Sequence, residues 1–257
     1  MSTTRIAVVT GASRGIGEAI ALRLADDGLD VAVNDIPSMA ESLKAVAEKI
    51  RQKGRRSLVV TGDVSNENDV KAMVDKVVET LGGLDVMIAN AGIAFVKPVV
   101  ETSVEDYDRV MSINAKGVFL CFKYAAVQMI KQGRGGRIIG ACSMAGKTGF
   151  SNSCAYCASK FAVRGLTQTC ALEWAKHNII VNSYAPGFIN TPMITEINKV
   201  VSETDKSSNT LDFVGFGKDT PTAQPSAIGE LVSYLVKPES QFVSGQCINI
   251  NGGICFD

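Results

Sequence analysis

Short apolar runs rich in β-branched residues alternate with amphipathic stretches along the whole chain. Ile6-Ala7-Val8-Val9 predicts a buried strand that breaks into Gly11, Gly15 and Gly17. Ile16, Ile20 and Leu24 then recur at helical spacing as far as Gly28. The same reading predicts strands over residues 31–33, 57–61, 84–89, 137–141, 179–185 and 246–250. It places helices at about 39–53, 66–81, 104–130 and 155–176. Strands alternating with helices predict one α/β domain over residues 1–257, a doubly wound parallel sheet with helices on both faces.

One region breaks the alternation. From Gly187 to about Pro225 polar residues dominate, with Ser202 to Thr210 (SETDKSSNT) the most polar part. A tolerated surface insertion would look the same. Long inserts in compact domains tend to be functional, and this one follows the carboxyl end of a strand, where such sheets bind ligands, so a substrate lid is expected at 187–225.

Composition narrows the class. Of 257 residues, 46% are hydrophobic and 20% charged, with 24 glycines, which excludes a disordered chain and a coiled coil. Lys+Arg and Asp+Glu balance at 26 each, so no global field draws nucleic acid or an anionic membrane. No apolar run approaches the roughly 18 residues of a spanning helix, and MSTTRIAVVT lacks the pattern of a secretory signal. Seven irregularly spaced cysteines read as reduced thiols of a cytoplasmic protein, and a single histidine, His177, excludes a histidine-rich metal site. No metal and no nucleic-acid or membrane partner is expected.

The candidate chemistry begins at Thr10-Gly11-Ala12-Ser13-Arg14-Gly15-Ile16-Gly17. Glycines there let the backbone turn tightly and approach a pyrophosphate, whose charge sits at the N-terminus of the next helix. Such turns also arise for packing alone, but a position between a first strand and a helix favours the dinucleotide reading. Asp35, at the end of the second strand, would accept hydrogen bonds from ribose hydroxyls and repel a 2′-phosphate. A turn or cap role before Pro37 is the plainer alternative. Arg14 pulls the other way, since a guanidinium beside the turn can pair with that phosphate. The carboxylate carries more weight, and NAD is expected over NADP. Tyr156 and Lys160 stand at i and i+4 of a predicted helix, on one face. An ammonium near a phenol lowers its pKa and makes it a usable proton donor and acceptor. Ser143, at the end of the preceding strand, is placed to hydrogen-bond a substrate oxygen.

TGASRGIG, Asp63-Val64, Ala89-Asn90-Ala91-Gly92, Asn114, Ser143, Tyr156-Cys-Ala-Ser-Lys160 and Pro186-Gly187 occur together and in order. In this the whole chain resembles the short-chain dehydrogenases/reductases, single-domain Rossmann-type enzymes. The resemblance implies catalytic roles for Asn114, Ser143, Tyr156 and Lys160, with Asn114 holding a water in a proton relay. It implies cofactor contacts at Gly11, Ser13, Arg14, Gly15, Ile16, Gly17, Asp35, Asp63, Val64, Asn90, Ala91, Gly92, Tyr156, Lys160, Pro186, Gly187, Ile189 and Thr191. GGRIIGACSMAG, SKFAVRGLTQT and TPM followed by EI look most like the acetoin/diacetyl reductase (2,3-butanediol dehydrogenase) branch. That branch tends to carry glutamine and tryptophan where Met144 and Ile194 stand. Ser143, Met144, Tyr156 and Ile194 are therefore expected around a substrate bulkier and less polar than acetoin.

The expected reaction interconverts a secondary alcohol and a ketone with NAD(H), the ketone being acetoin/diacetyl or a bulkier hydrophobic ketone of specialised metabolism. A 3-ketoacyl-carrier-protein reductase and a noncatalytic dinucleotide-binding scaffold are the alternatives. The first would favour NADPH and a basic docking patch, and the second usually loses a catalytic residue. Cys154 and Cys157 have C-x-x-C spacing but overlap the Tyr156 motif, so small core thiols are expected over a redox pair. Cys142, beside Ser143, is expected to be sensitive to alkylation for steric reasons. His177 reads as a residue capping a helix end, and Trp174 as a core or subunit-contact residue. The helices near 104–130 and 155–176 resemble those that pair subunits in family tetramers, so a homotetramer is implied.

Overall fold

The computed structural model describes residues 4–204, 210–217 and 219–256. Along the chain run β1 (Ile6–Thr10), α1 (Gly15–Asp26), β2 (Asp30–Asp35), α2 (Ala40–Gln52), β3 (Ser57–Thr61), α3 (Glu67–Leu81) and β4 (Val86–Ala89). There follow α4 (Val104–Met111), α5 (Gly117–Gln132), β5 (Gly136–Ala141), α6 (Cys154–Trp174) and β6 (Ile179–Pro186). The last third holds β7 (Phe188–Ile189), α7 (Pro192–Thr204), α8 (Thr210–Phe213), β8 (Thr222–Ala223), α9 (Pro225–Val236) and β9 (Cys247–Ile250).

Seven strands form one parallel sheet in the order β3-β2-β1-β4-β5-β6-β9. The chain first winds outward from β1 to β3, then returns to pair β4 against the other side of β1. This reversal opens a crevice at the carboxyl ends of β1 and β4, where open α/β sheets bind ligands. Both faces of the sheet are buried, which is why its strands read as apolar runs. Along β1, Ala7 and Val9 pack toward Ile20, Leu24, Leu43, Val232 and Leu235 from α1, α2 and α9. Ile6 and Val8 belong to the opposite core, with Val77, Phe122, Met129 and Val163 from α3, α5 and α6.

Three departures from the sequence reading have physical causes. The predicted helix over 104–130 is interrupted by a π-helical turn at Ser112–Lys116, between α4 and α5. The stretch 104–132 has the length and apolarity to cross a membrane, but Val118, Phe122, Ala125 and Met129 pack into the core. Much of the polar 187–225 segment is helical: Pro192 opens α7, with Met193, Ile197 and Val201 at helical spacing. Of SETDKSSNT, residues 205–209 lie outside the described residues. Finally, α9 went unpredicted although Pro225 at its start and Ile228, Val232 and Leu235 along one face were legible. Its packing against α1 closes one face of the sheet.

The remaining singular residues fall in ordinary places. His177 lies in the 3-10 turn after α6, and the left-handed residue that ends it is Asn178, at φ 56°. Trp174 is half-buried against the α6-side core. All seven cysteines are free thiols.

Candidate active site

The cleft at the β1/β4 switch point has a volume of about 490 Å³. Its floor is the turn from β1 into α1. Gly11 and Gly15 adopt left-handed backbone, at φ 63° and 59°. A Cβ on Gly11 would lie 2.9 Å from Ala91 Cα. A Cβ on Gly17 would strike the Gly11 carbonyl and lie 2.6 Å from Asn90 Nδ2. Only glycine tolerates both the conformation and the approach. The helix behind this turn starts at Gly15 after Arg14, which supplies no side-chain cap. The first N–H groups of α1 thus keep donors and positive dipole for an anion. This cradle fits the pyrophosphate of a dinucleotide.

Other strands brace the turn. Asn90, past the end of β4, donates from Nδ2 to the carbonyls of Thr10 and Gly11 at 2.8 and 3.2 Å. The Thr10 hydroxyl accepts from the N–H groups of Asn90 and Ala91, each at 3.0 Å. Tyr184 of β6 completes the brace by donating its hydroxyl to Asn90 Oδ1 at 2.8 Å. Tyr184 carries no local signal of this role, because only the strand order brings β6 within reach of β4.

Asp35 sits at the rim of the same cleft. Its Oδ2 accepts from the Ser13 hydroxyl at 2.6 Å and the Ser13 N–H at 3.3 Å, and its Oδ1 from Ile36 N–H at 2.9 Å. The carboxylate is thereby aimed and tied to the glycine turn. Arg14 meets Glu196 of α7, at 2.7 Å.

The catalytic candidates converge on one wall. Tyr156 and Lys160 come from the first turns of α6, and both line the cleft. Ser143 lies beside the Tyr156 phenol and favours its ionised form, and the Ser143 hydroxyl accepts from Ala145 N–H at 3.1 Å and so starts a 3-10 turn at Met144–Gly146. Burial raises the Tyr156 pKa to about 12, opposed by Ser143. This differs from the expectation that Lys160 pulls the phenol down. The Lys160 ammonium lies 5.4 Å from the ring centroid and donates to the Ala141 carbonyl at 2.8 Å. Burial in turn lowers Lys160 to about 8. At neutral pH the phenol carries its proton and Lys160 remains largely a cation, as a proton donor and its electrostatic support require.

Asn114 lies in the π-helical turn and is fully buried. Its Oδ1 accepts from Ile93 N–H at 2.9 Å, and its Nδ2 donates to Ile93 O at 2.8 Å and Ser159 Oγ at 3.2 Å. The side chain clamps the loop after Gly92, where a Cβ would lie 3.1 Å from Asn114 Oδ1 and 3.6 Å from Lys160 Nζ. Such π turns recur at functional sites because they re-aim one residue.

Of the other predicted contacts, Gly11, Ser13, Arg14, Gly15, Ile16, Gly17, Asp63, Val64, Asn90, Ala91, Gly92, Pro186 and Thr191 line the cleft. Ser143, Met144, Gly187, Ile189 and Ile194 lie off its lining. Met144 is buried in the 3-10 turn. Met193 lines the cleft instead of Ile194, because α7 presents Met193, Glu196 and Ile197 on one side. Cys142 lines the cleft, nearly buried, with its thiol on the Lys160 carbonyl at 3.3 Å. Cys154 meets the Thr102 hydroxyl at 3.7 Å, and Cys157 is buried.

A glycine-cradled anion site at a switch point, with a tyrosine and a buried lysine together on its wall, defines a dinucleotide-dependent oxidoreductase. Residues 5–202 match the family model for short chain dehydrogenase. The chain belongs to the short-chain dehydrogenase/reductase family and is an oxidoreductase that uses a nicotinamide dinucleotide. It is 47% identical to a short-chain dehydrogenase/reductase of Armillaria gallica, over 100% of this chain and 98% of that protein. Identity is 39% to a 3-oxoacyl-[acyl-carrier-protein] reductase of Staphylococcus aureus, over 99% of both chains. It is 35% to the L-2,3-butanediol dehydrogenase of Corynebacterium glutamicum, over 99% of this chain and 100% of that one. A short chain dehydrogenase from Mycobacterium paratuberculosis bound to NAD superimposes with TM-score 0.86 at 33% identity, covering 97% of each chain.

Proposed function

We propose that this protein is an NAD(H)-dependent dehydrogenase interconverting a secondary alcohol and a ketone, and that the natural ketone is apolar and larger than acetoin. The observation that carries the reaction is the placing of Tyr156 and Lys160 together on the cleft wall, with Lys160 Nζ 5.4 Å from the centroid of the tyrosine ring. When bound, the nicotinamide dinucleotide supplies or takes up the hydride. Gly11, Gly15 and Gly17 with the start of α1 would hold its pyrophosphate, and Asp35 its adenine-side ribose. Asp63 and Val64 would lie by the adenine, and Asn90, Ala91, Gly92, Lys160, Pro186 and Thr191 toward the nicotinamide half.

The hydroxyls of Ser143 and Tyr156 hold the substrate oxygen between them. In reduction, Tyr156 passes its phenolic proton to that oxygen. The Lys160 ammonium offsets the phenolate charge this leaves. Asn114 fixes the loop that closes this wall, and a water held beside it would return the proton from solvent. Oxidation runs these transfers in reverse. Because reduction consumes one proton, higher pH favours alcohol oxidation.

The preference for NAD is supported by Asp35, whose carboxylate is held toward the cleft by Ser13. A largely apolar ketone is supported by Met193 on the cleft and by Ile93, Phe95, Val96 and Ile197 in an adjoining cavity of about 290 Å³, which Arg14, Asp106, Arg109 and Glu196 also line. We place a substrate lid at 187–225, since α7 of this segment carries Met193. The 3-oxoacyl-carrier-protein reaction is the second reading, favoured by the 39% identity to the Staphylococcus aureus enzyme. The charge balance and Asp35 weigh against it. Phe119 and Val127 on α5 and Phe161 and Leu172 on α6 stand exposed, supporting a homotetramer built on these helices. A cytoplasmic location suits seven unpaired cysteines.

Initial rates with NADH and NADPH, using diacetyl, acetoin, a bulky cyclic ketone and a 3-oxoacyl thioester, test the proposal. Fastest turnover of the cyclic ketone with NADH is expected. Preference for the small diketone would reverse the size assignment, and preference for the thioester with NADPH would establish the second reading.

A further inference from the structure

Two opposite charges flank the glycine turn at the cleft, and they have different partners. The Asp35 carboxylate is engaged by Ser13 and Ile36 N–H. Arg14, the cation of the turn, pairs with Glu196 in the first turns of α7, with Nη1 and Oε1 2.7 Å apart. The two elements are packed together there: a Cβ at Gly15 would meet Thr191 Cγ2 at 3.4 Å. The ion pair is therefore set by a short, built contact between the turn and the start of α7.

We propose that Glu196 is a cofactor-specificity residue: by occupying the Arg14 guanidinium, it withholds that cation from a 2′-phosphate and selects the unphosphorylated dinucleotide together with Asp35. The inference rests on the NAD-preferring reading above and deepens it. A free guanidinium beside the turn would favour a phosphate dianion through charge-assisted hydrogen bonds. With Glu196 in place, that gain requires breaking an existing ion pair. Glu196 thus acts through Arg14, as a positioning residue. Its side chain is 57% exposed and that of Arg14 48%, so solvent screening keeps the effect modest, on the order of three- to fivefold.

The test measures the dissociation constants of NADH and NADPH by calorimetry on wild type, Glu196→Gln, Arg14→Gln and the double variant. Both side chains are surface-exposed, so the substitutions leave the fold intact. Expected is NADPH binding tighter by about three- to fivefold in Glu196→Gln, with NADH changed less than about twofold, and no gain from Glu196→Gln when Arg14 is already glutamine. An unchanged NADPH/NADH ratio in a wild type that prefers NADH overturns the inference alone. The same gain in the Arg14→Gln background also overturns it, because Glu196 would then be repelling the phosphate directly. A wild type that binds NADPH more tightly overturns the NAD reading and this inference together.

Discussion

The Tyr184 hydroxyl donates to Asn90 Oδ1 at 2.8 Å, joining β6 to the end of β4 across β5. Asn90 passes this constraint to the glycine turn through the carbonyls of Thr10 and Gly11. A fully buried tyrosine at the cleft lining therefore braces the glycine turn. Tyr184→Phe leaves Asn90 Oδ1 without this donor. Stability should fall by about 1 kcal/mol, and cofactor affinity should weaken severalfold with turnover largely retained. Urea unfolding and NADH titration check both, and unchanged NADH affinity would deny the brace its role in the cradle.

Tyr156 has the opposite profile. Replacement by Phe removes the proton donor while keeping the ring against Lys160. Turnover should drop by about 10²–10⁴-fold, with NADH affinity nearly preserved. Single-turnover rates and NADH titration separate the two effects. Turnover near the wild-type rate would remove Tyr156 from the mechanism.

Lys160 gives a pH signature in stability. Burial holds its pKa at about 8, against 10.5 for an exposed lysine. Between these values the unfolded chain binds more protons than the native state, so stability rises with pH. The cost of burying the ammonium is fully present below pH 8 and is relieved as pH climbs toward 10.5. Urea unfolding of wild type and Lys160→Met from pH 7 to 10 should show wild type gaining on the variant as pH rises. A difference independent of pH would contradict the burial argument.

Asp35 makes a sharper prediction about the cofactor than any residue of the glycine turn. Asp35→Ser removes the charge that faces a 2′-phosphate. The kcat/KM ratio of NADH to NADPH should fall by about tenfold or more, the scale of one charge-assisted contact. A ratio that stays put would mean that ribose selection lies elsewhere.

The exposed apolar side chains on α5 and α6 predict assembly. Leu172, 82% exposed, lies near the end of α6, and Phe119 is 44% exposed on α5. Charged replacements, Leu172→Glu with Phe119→Glu, should shift a tetramer toward dimers or monomers in light scattering. A wild type that runs as a monomer would refute the proposed assembly directly.

The periodicities of this chain sufficed for the layers: a parallel sheet buried on both faces leaves β-branched runs that read as strands, and Asn66 or Gly82 mark helix ends locally. The glycine turn and the Tyr156/Lys160 pair were legible for the same reason, since each depends on neighbours within one or two turns of chain. The helices within 187–225 leave little trace in the sequence because polar residues mask the Met193, Ile197 and Val201 stripe. The π turn that aims Asn114 has no local signature, being stabilised by contacts to Ile93 and Ser159 far along the chain. Tyr184 on Asn90 and Arg14 on Glu196 arise only when strand order and the placement of α7 bring distant segments together. Local periodicity carries information about which face of an element is buried; which other element covers it is decided by the packing of the whole domain.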